Sequence, residues 1–440
     1  MRVFRIELRR STALVLGALT ALVLLGLLVW GPSTKNSTAW TRQWTTMAEW
    51  TRFMLVLAWP LVLGGGAVQG LRDRRSGVAE LFGSTPRPRA HRVGRTFGAV
   101  AAALVAGYAV VLAVGAVQVA SSTDYTHLGW LPVALVGAVA LVAAAGLGMG
   151  LGALVPSPLT PPLLAVAGFA VMTVGLEPEA RWALLLPPLP MPVSAYASVP
   201  WSVNAVQLVW FAGVAATGFA LAALRRRWPA LLPALVAGAV AVPLLPASAV
   251  TRDEAAAELV CAERLCLTRA HEHERATLAG PAREALRLLA KLPAPPTSVR
   301  EVAAAVRGNP ERGPEPTDAV WVNLDDFTYF RREPPTAEQL TAYLVAGAGT
   351  RTCYADRIPR EVGREVAART VMTAFLTGRV EPLPSFRLWL GEEIDALTDR
   401  AWQHLRALPE AEQAARVQSA REVQAACAGD ALTTLTGGTT

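Results

Sequence analysis

The chain is 440 residues long, with 52% hydrophobic and only 17% charged side chains, too apolar and too sparsely charged for an ordinary soluble globule. Its net charge of +7 is unevenly divided: residues 1–250 hold 18 Lys/Arg against 7 Asp/Glu, whereas residues 251–440 hold 23 against 27. Two solvents are implied, hydrocarbon for the first part and water for the second.

After a basic lead-in, "MRVFRIELRRS", apolar runs fall at 11–30, 53–70, 97–120, 131–154, 158–176, 203–224 and 229–250, none containing Asp, Glu, Lys or Arg. Runs of about 20 apolar residues suffice to cross a bilayer as helices, and helices satisfy their backbone polar groups internally. The expected fold is therefore an all-α polytopic membrane bundle of about seven transmembrane helices, followed by a mainly helical α+β extracytoplasmic domain. The expected divisions are 1–228 for six spans, 229–250 for a seventh and 251–440 for the outer domain.

Basic residues in short loops set orientation. With the N-terminus cytoplasmic, the inner ends hold Arg2, Arg5, Arg9 and Arg10, then Arg72, Arg74, Arg75, Arg87, Arg89, Arg92 and Arg95, then Arg225, Arg226 and Arg227. The outer short segments hold only Lys35, Arg42, Arg52 and Arg181, fourteen against four, which puts 251–440 outside the cell membrane. The inner arginines would also meet lipid headgroups. Trp30, Trp40, Trp44, Trp50, Trp130 and Trp201 fall near the outer boundary, where amphipathic rings are favoured.

Within the loop "RDRRSGVAELFGSTPRPRAHRVGR", Val78, Leu81 and Phe82 recur at helical spacing before Pro86 and Pro88, so a short amphipathic helix is expected there. In the fourth span, "GLGMGLG" carries two overlapping G-x-x-x-G pairs, Gly146/Gly150 and Gly148/Gly152, read either as internal packing or as a contact between two copies. Pro60 and Gly64 to Gly66 in the second span are readable as a hinge or as ordinary membrane-helix composition. The run from Arg225 to Ala249 also has the layout of a secretory signal with its cleavage site, although its apolar middle is long for one.

Beyond residue 250, "VCAERLCLT" reads as two short strands and a tight loop, which favours the pairing Cys261–Cys266 with Cys353–Cys427 in an oxidising compartment. Isolated cysteines after C-x4-C fit structural zinc poorly. Helices are expected near 277–292, 298–307, 336–346, 359–378, 386–408 and 410–428, with Thr297-Ser298 and Thr336 as N-caps, and a strand at 319–324. "HEHER", His271 to Arg275, lacks the second histidine of H-E-x-x-H, since position 275 is arginine. On a helix His271 and His273 would diverge by about 200°. It reads as a solvated polar start to the following helix, and Asp325-Asp326 as a charged strand end rather than an acid–base pair.

The order of elements resembles the permease subunits of type-2 ABC exporters: basic lead-in, span, outer loop with tryptophans, span, and the arginine-rich loop entering a third span. The resemblance covers about residues 1–228. It implies that Gly77, Val78, Glu80, Leu81 and Phe82 form a coupling helix that docks on a separate ABC ATPase, and that the lead-in forms an elbow along the inner membrane surface. The seventh span and the outer domain depart from the simplest pattern and leave the cargo open. The chain's only lysines, Lys35 and Lys291, lie outside any G-x-x-x-x-G-K-[ST], so ATP would be bound by the partner and no cofactor, metal or catalytic set is expected here. The expected partners are the ATPase, lipid and a second permease copy, with no nucleic acid. Three readings stay open: an exporter permease, a membrane-anchored outer binding or sensing protein, and an outer hydrolase.

Overall fold

The computed structural model describes residues 12–30, 39–41, 43–75, 88–174, 181–190, 195–224, 227–303, 315–324, 335–347, 353, 359–380 and 387–438. Among the described residues, five helices are long and apolar enough to cross a membrane: α1 (Ala13–Trp30), α3 (Leu55–Arg75), α4 (Arg89–Ala120), α5 (Trp130–Leu154) and α7 (Trp201–Ala223). An additional helix, α2 (Trp44–Phe53), leads through Met54 into α3 and is buried along most of its length.

Among the described residues, two of the seven expected spans have helices shorter than their apolar runs. Helix α6 (Thr160–Val174) has 15 residues, a rise of about 22 Å against the ~30 Å of bilayer hydrocarbon. The run at 229–250 is helical only through a 3-10 turn, Trp228–Leu231, and α8 (Leu232–Ala241). Pro243 and Pro246 follow α8 and supply no N–H to continue it, so 242–250 runs as turns.

Helix α5 is central, packed between α3 and α7, while α1 lies on α4 and α8 on α7. Its glycines explain the arrangement. Gly148 and Gly152 face α3: an added Cβ at Gly148 would strike the Leu63 carbonyl, and one at Gly152 would sit 2.5 Å from the Ala67 oxygen. Gly66 and Gly70 on α3 meet the Ala145 and Met149 carbonyls in return. Gly146 and Gly150 face the other way, onto Gly218 of α7, with the Gly150 position 2.5 Å from the Gly218 oxygen. Both G-x-x-x-G pairs are thus used inside the bundle, one per neighbour, which lets backbones approach where lipid offers no hydrophobic drive for helix association.

After the bundle, β1 (Ala197–Ser198) pairs antiparallel with β2 (Thr251–Arg252), and a short helix, α9 (Glu254–Ala257), is capped by Asp253. A four-stranded sheet follows in the order β3 (Leu259–Ala262), β4 (Leu265–Thr268), β5 (Ser298–Glu301), β6 (Ala319–Val322). The β3–β4 hairpin is antiparallel and the other two pairings are parallel. Helix α10 (Arg275–Leu289) makes the crossover from β4 to β5. Helices α11 (Ala337–Val345), α12 (Pro359–Thr377), α13 (Arg387–Arg406), α14 (Glu410–Ala426) and α15 (Ala431–Thr436) complete this half. Its core joins Leu267, Val299 and Val322 of the sheet to Leu289, Leu344 and Val371 of the helices.

Within the expected helix at 298–307, residues 298–301 form strand β5 instead, and 304–307 lie outside the described residues. Parallel partners on both sides and alternating burial, with Val299 and Glu301 inward, override a weak helical pattern. Thr297 is no N-cap but donates its N–H to the Asp318 carbonyl at 2.7 Å. Thr336 does cap α11, in a reciprocal box with Gln339. The disulfides join Cys261 to Cys266, directly opposed in the hairpin, and Cys353 to Cys427 at the end of α14. The latter closes a sequence separation of 74 residues, for which chain entropy gives about 4 kcal/mol.

The glycine contacts predict a sharp contrast. Gly148→Val should lower the melting temperature in detergent or collapse monodispersity, since overpacking costs about 1–3 kcal/mol or more. Gly26→Val should be silent, because nothing lies within 4 Å of its added Cβ. Equal behaviour of the two variants would refute the crossing.

Candidate functional site at the junction of bundle and C-terminal half

Two buried polar nodes sit on the segment that links α6 to α7. The first centres on Arg52 of α2, which is fully buried. Its Nε and Nη2 donate to the Pro187 carbonyl at 2.8 and 2.6 Å, Nη1 to the Val133 carbonyl at 3.4 Å, and Nη2 to Gln207 Oε1 at 3.1 Å. Gln207 on α7 donates in turn to the Leu184 carbonyl at 2.9 Å, and Trp210 Nε1 to that of Leu185 at 2.8 Å. Irregular backbone at the end of a membrane bundle is tolerated only where its carbonyls find donors, and these side chains supply them. Thr51 and Tyr108 hydroxyls lie 3.3 Å apart beside the node, and Glu49 is buried one turn earlier on α2.

The second node lies further along the same connection. Tyr196, Thr268, His271 and Glu301 are each at most 1% exposed. Glu301 Oε2 accepts from the Thr268 N–H at 2.8 Å and its hydroxyl at 2.9 Å. Glu301 Oε1 accepts from the Tyr196 hydroxyl and lies 2.5 Å from His271 Nδ1. Tyr196 reaches His271 Nδ1 at 2.9 Å as well, and its own carbonyl accepts the Asp253 N–H at 2.8 Å. Around them pack Ala195, Ala256, Ala257 and Ala270.

Local folding brings these groups together. Alternation on β5 turns Glu301 inward; β4 ends at Thr268 beside it; the 3-10 turn Arg269–Glu274 then carries His271 back over the carboxylate. Burial alone would raise the Glu301 carboxyl, but the adjacent His271 charge and the hydrogen bonds from His271, Tyr196 and Thr268 outweigh it and hold the group below the usual carboxylate range. The node is a saturated, ionised acceptor joining the two halves. It has the chemistry of a latch, since both Glu301 oxygens are committed, each to two donors.

"HEHER" is not a solvated helix start: His271 is buried and ion-paired with Glu301, while His273 lies 3.6 Å from Glu274. Arg52, counted as an ordinary outer loop residue, is buried inside the protein. Its signal was the pair Glu49 and Arg52 at the border of an otherwise uncharged run; Tyr196 gave none. Gly77, Val78, Glu80, Leu81, Phe82, Arg87, Arg225, Arg226 and Asp325-Asp326 lie outside the described residues. Arg74 and Arg75 end α3, Arg89, Arg92 and Arg95 occupy the first two turns of α4, and Arg227 precedes the 3-10 turn. Among the described residues no group of three or more His, Cys, Asp or Glu is disposed to hold a metal ion.

Comparisons with protein-family models, with curated proteins and with solved structures find no match to this chain.

The latch predicts a pH dependence. A carboxylate held low in the folded state stabilises fully above its unfolded value of about 4.3 and ceases to do so as pH falls through the folded value. Amide exchange protection over residues 251–258 should hold from pH 7 to about 5 and fall below about 4. Glu301→Ala should remove it at neutral pH, since breaking a buried pair costs about 3–5 kcal/mol. Unchanged protection in that variant would mean the latch is absent.

Proposed function

We propose that the chain is the membrane-spanning permease subunit of an ATP-driven ABC exporter, seated in the cell membrane with seven spans, its N-terminus cytoplasmic and residues 251–440 extracytoplasmic. The single observation that carries this reading is the way α3 and α4 enter and leave the basic loop. Helix α3 continues past its apolar stretch to Arg75, and α4 begins at Arg89 with 32 residues, about 48 Å, well over a bilayer's ~30 Å of hydrocarbon. Helix α4 is therefore long enough to reach past the hydrocarbon at its basic end, α3 ends in Arg72, Arg74 and Arg75, and the two helices flank residues 76–88 in the sequence, as an ATPase docking element requires. Arg72, Arg89 and Arg95 are exposed on these helix ends, where lipid phosphates are available.

In this reading, Gly77 to Phe82 form the docking helix, with Leu81 and Phe82 as its apolar ridge. ATP is bound and hydrolysed by the partner, and this chain contributes no catalytic group. Two contacts support alternation over the first four spans of this topology: Thr12 at the start of α1 donates to Gln69 near the end of α3 at 2.7 Å. Thr45, before α3, lies 3.2 Å from His127 in the loop between α4 and α5. Ends of like side therefore meet.

The second reading, a membrane-anchored binding or sensing protein without transport, is favoured by the latch, which ties the C-terminal half to the bundle as a signal relay would need. Phe82→Ala distinguishes the two. Loss of a buried aromatic anchor commonly costs 2 kcal/mol or more, on the order of thirtyfold in affinity. The variant should insert normally yet fail to co-purify with the ATPase, or leave its nucleotide turnover uncoupled, while Arg74→Gln with Arg75→Gln does less. Negligible effects from both would remove the docking role. Separately, a reporter active only in the cytoplasm should work after Arg95 or Arg227 and fail after Asp124 or Asp253. Activity at Asp253 would overturn the orientation.

A further inference from the structure

Outside the junction, the C-terminal half carries a groove of about 560 Å³ between the tip of the β3–β4 hairpin and one face of α10. This is within the roughly 300–1,000 Å³ of small-molecule sites. Its floor is apolar, formed by Leu265, Ala282 and Leu286, all buried, with Ala279 beside them. Its rim is strongly basic: Arg264, Arg275, Arg283 and Arg287 line it against a single acid, Glu263.

The four arginines are not equivalent. Arg275 is bidentate to Glu272 and also donates to the carbonyls of Leu265 at 2.8 Å and Val260 at 2.6 Å. Arg287 is paired with Glu284. Among the described residues, the guanidinium groups of Arg264 and Arg283 have no hydrogen-bond, ion-pair or ring partner, and they stand on opposite walls, one on the hairpin and one on α10. Both walls are fixed in advance. The Cys261–Cys266 disulfide closes the hairpin, and Arg275 pins it to the start of α10. A preformed groove loses little entropy on binding.

The kind of occupant follows from what the walls offer. The Val260 and Leu265 carbonyls are consumed by Arg275, and the Arg264 carbonyl accepts the Val299 N–H at 2.8 Å. These three carbonyls are therefore already committed and not available to the backbone of an extended peptide. The groove presents a short apolar floor between two uncommitted cations. We propose that this groove binds a single-chain anionic amphiphile, its phosphate or carboxylate held between Arg264 and Arg283 and its alkyl chain on Leu265, Ala282 and Leu286. The site is independent of the transport reading, because it needs neither ATPase nor substrate movement.

Octyl phosphate is the probe, titrated calorimetrically into the full-length protein in phosphatidylcholine nanodiscs with empty discs subtracted. Saturable binding is expected, on the order of a hundredfold tighter than inorganic phosphate, since the short floor would bury about three to four methylenes and each is worth about fourfold. Octanol, lacking the anion, should bind at least tenfold more weakly. Arg264→Gln with Arg283→Gln should weaken octyl phosphate at least tenfold, and Ala279→Phe, which fills the groove, should abolish binding. An unchanged thermal transition and intact disulfides in both variants keep misfolding apart from loss of the site. Absence of saturable heat beyond empty discs, equal affinity in the arginine variant, octanol as tight as octyl phosphate, or binding of an aspartate-rich octapeptide in preference to octyl phosphate would each overturn the proposal.

Discussion

The rest of the structure depends on how Arg52 is satisfied. A guanidinium removed from water is costly unless its donors are used, and here they go to the Pro187 and Val133 carbonyls and to Gln207. The benefit is mutual, because Leu184 and Leu185 close the 3-10 turn Arg181–Leu185, and carbonyls at the end of such a turn lack donors within it. Arg52, Gln207 and Trp210 cover the Leu184, Leu185 and Pro187 oxygens with side chains from two helices. The irregular segment is thereby tied to α2 and α7, and α5 contributes Val133 to the same contact. A lysine could not reproduce this, having a point charge in place of a planar fork with donors aimed at several oxygens.

The Arg52 node holds the carbonyls at 184–187, and Tyr196, further along the same chain connection, bonds Glu301 of the sheet. One connection therefore carries a bonded node toward the bundle and another toward the C-terminal half, a covalent path between them. Such a path is the physical requirement for coupling between a membrane bundle and a domain beyond it, though contiguity alone is not coupling. The two-residue β1–β2 pairing and the alanine cluster add cohesion to the joint. Under the permease reading, a shift of α7 against α5 would reach the C-terminal half through Gln207 and Trp210. Under the sensing reading the same path runs in reverse.

Much of the bundle was legible in the sequence because uncharged runs of membrane length have few alternatives as structure. The disulfide pairing was legible for a related reason: "VCAERLCLT" has hairpin form, and two cysteines then remain for each other. Failures occurred where long-range partners decided the outcome. Residues 298–307 scan as a weak helix, yet β4 and β6 stand in parallel on either side of 298–301 and claim its backbone. The run at 229–250 has the composition of a span, but Pro243 removes the N–H that another turn would need. "HEHER" looks hydrophilic, and only the crossover that lays the turn over β5 makes His271 a buried partner of Glu301. Tyr196 could not be found by spacing, since its partners Thr268, His271 and Glu301 lie far along the chain, and the basic groove, though local to residues 262–290, appears only when the hairpin folds against α10.

The chemistry of the latch also explains why a polar node, rather than a larger apolar patch, holds the joint. The surrounding cluster is built from Ala195, Ala256, Ala257 and Ala270 with Tyr196. Alanines bury too little area to fix one docking angle, and a surface of methyl groups slides at small cost. Glu301 changes this, because its two oxygens are satisfied together only when Thr268, His271 and Tyr196 all arrive at hydrogen-bond distance. Any displaced geometry would leave a buried carboxylate short of donors, which is far more costly than losing a methyl contact. The node thus contributes little net attraction for its burial but penalises every alternative register. That is the property needed where a compact water-exposed fold must keep one orientation on a bundle whose helix crossings, set by the close backbone contacts of α3, α5 and α7, are themselves intolerant of displacement.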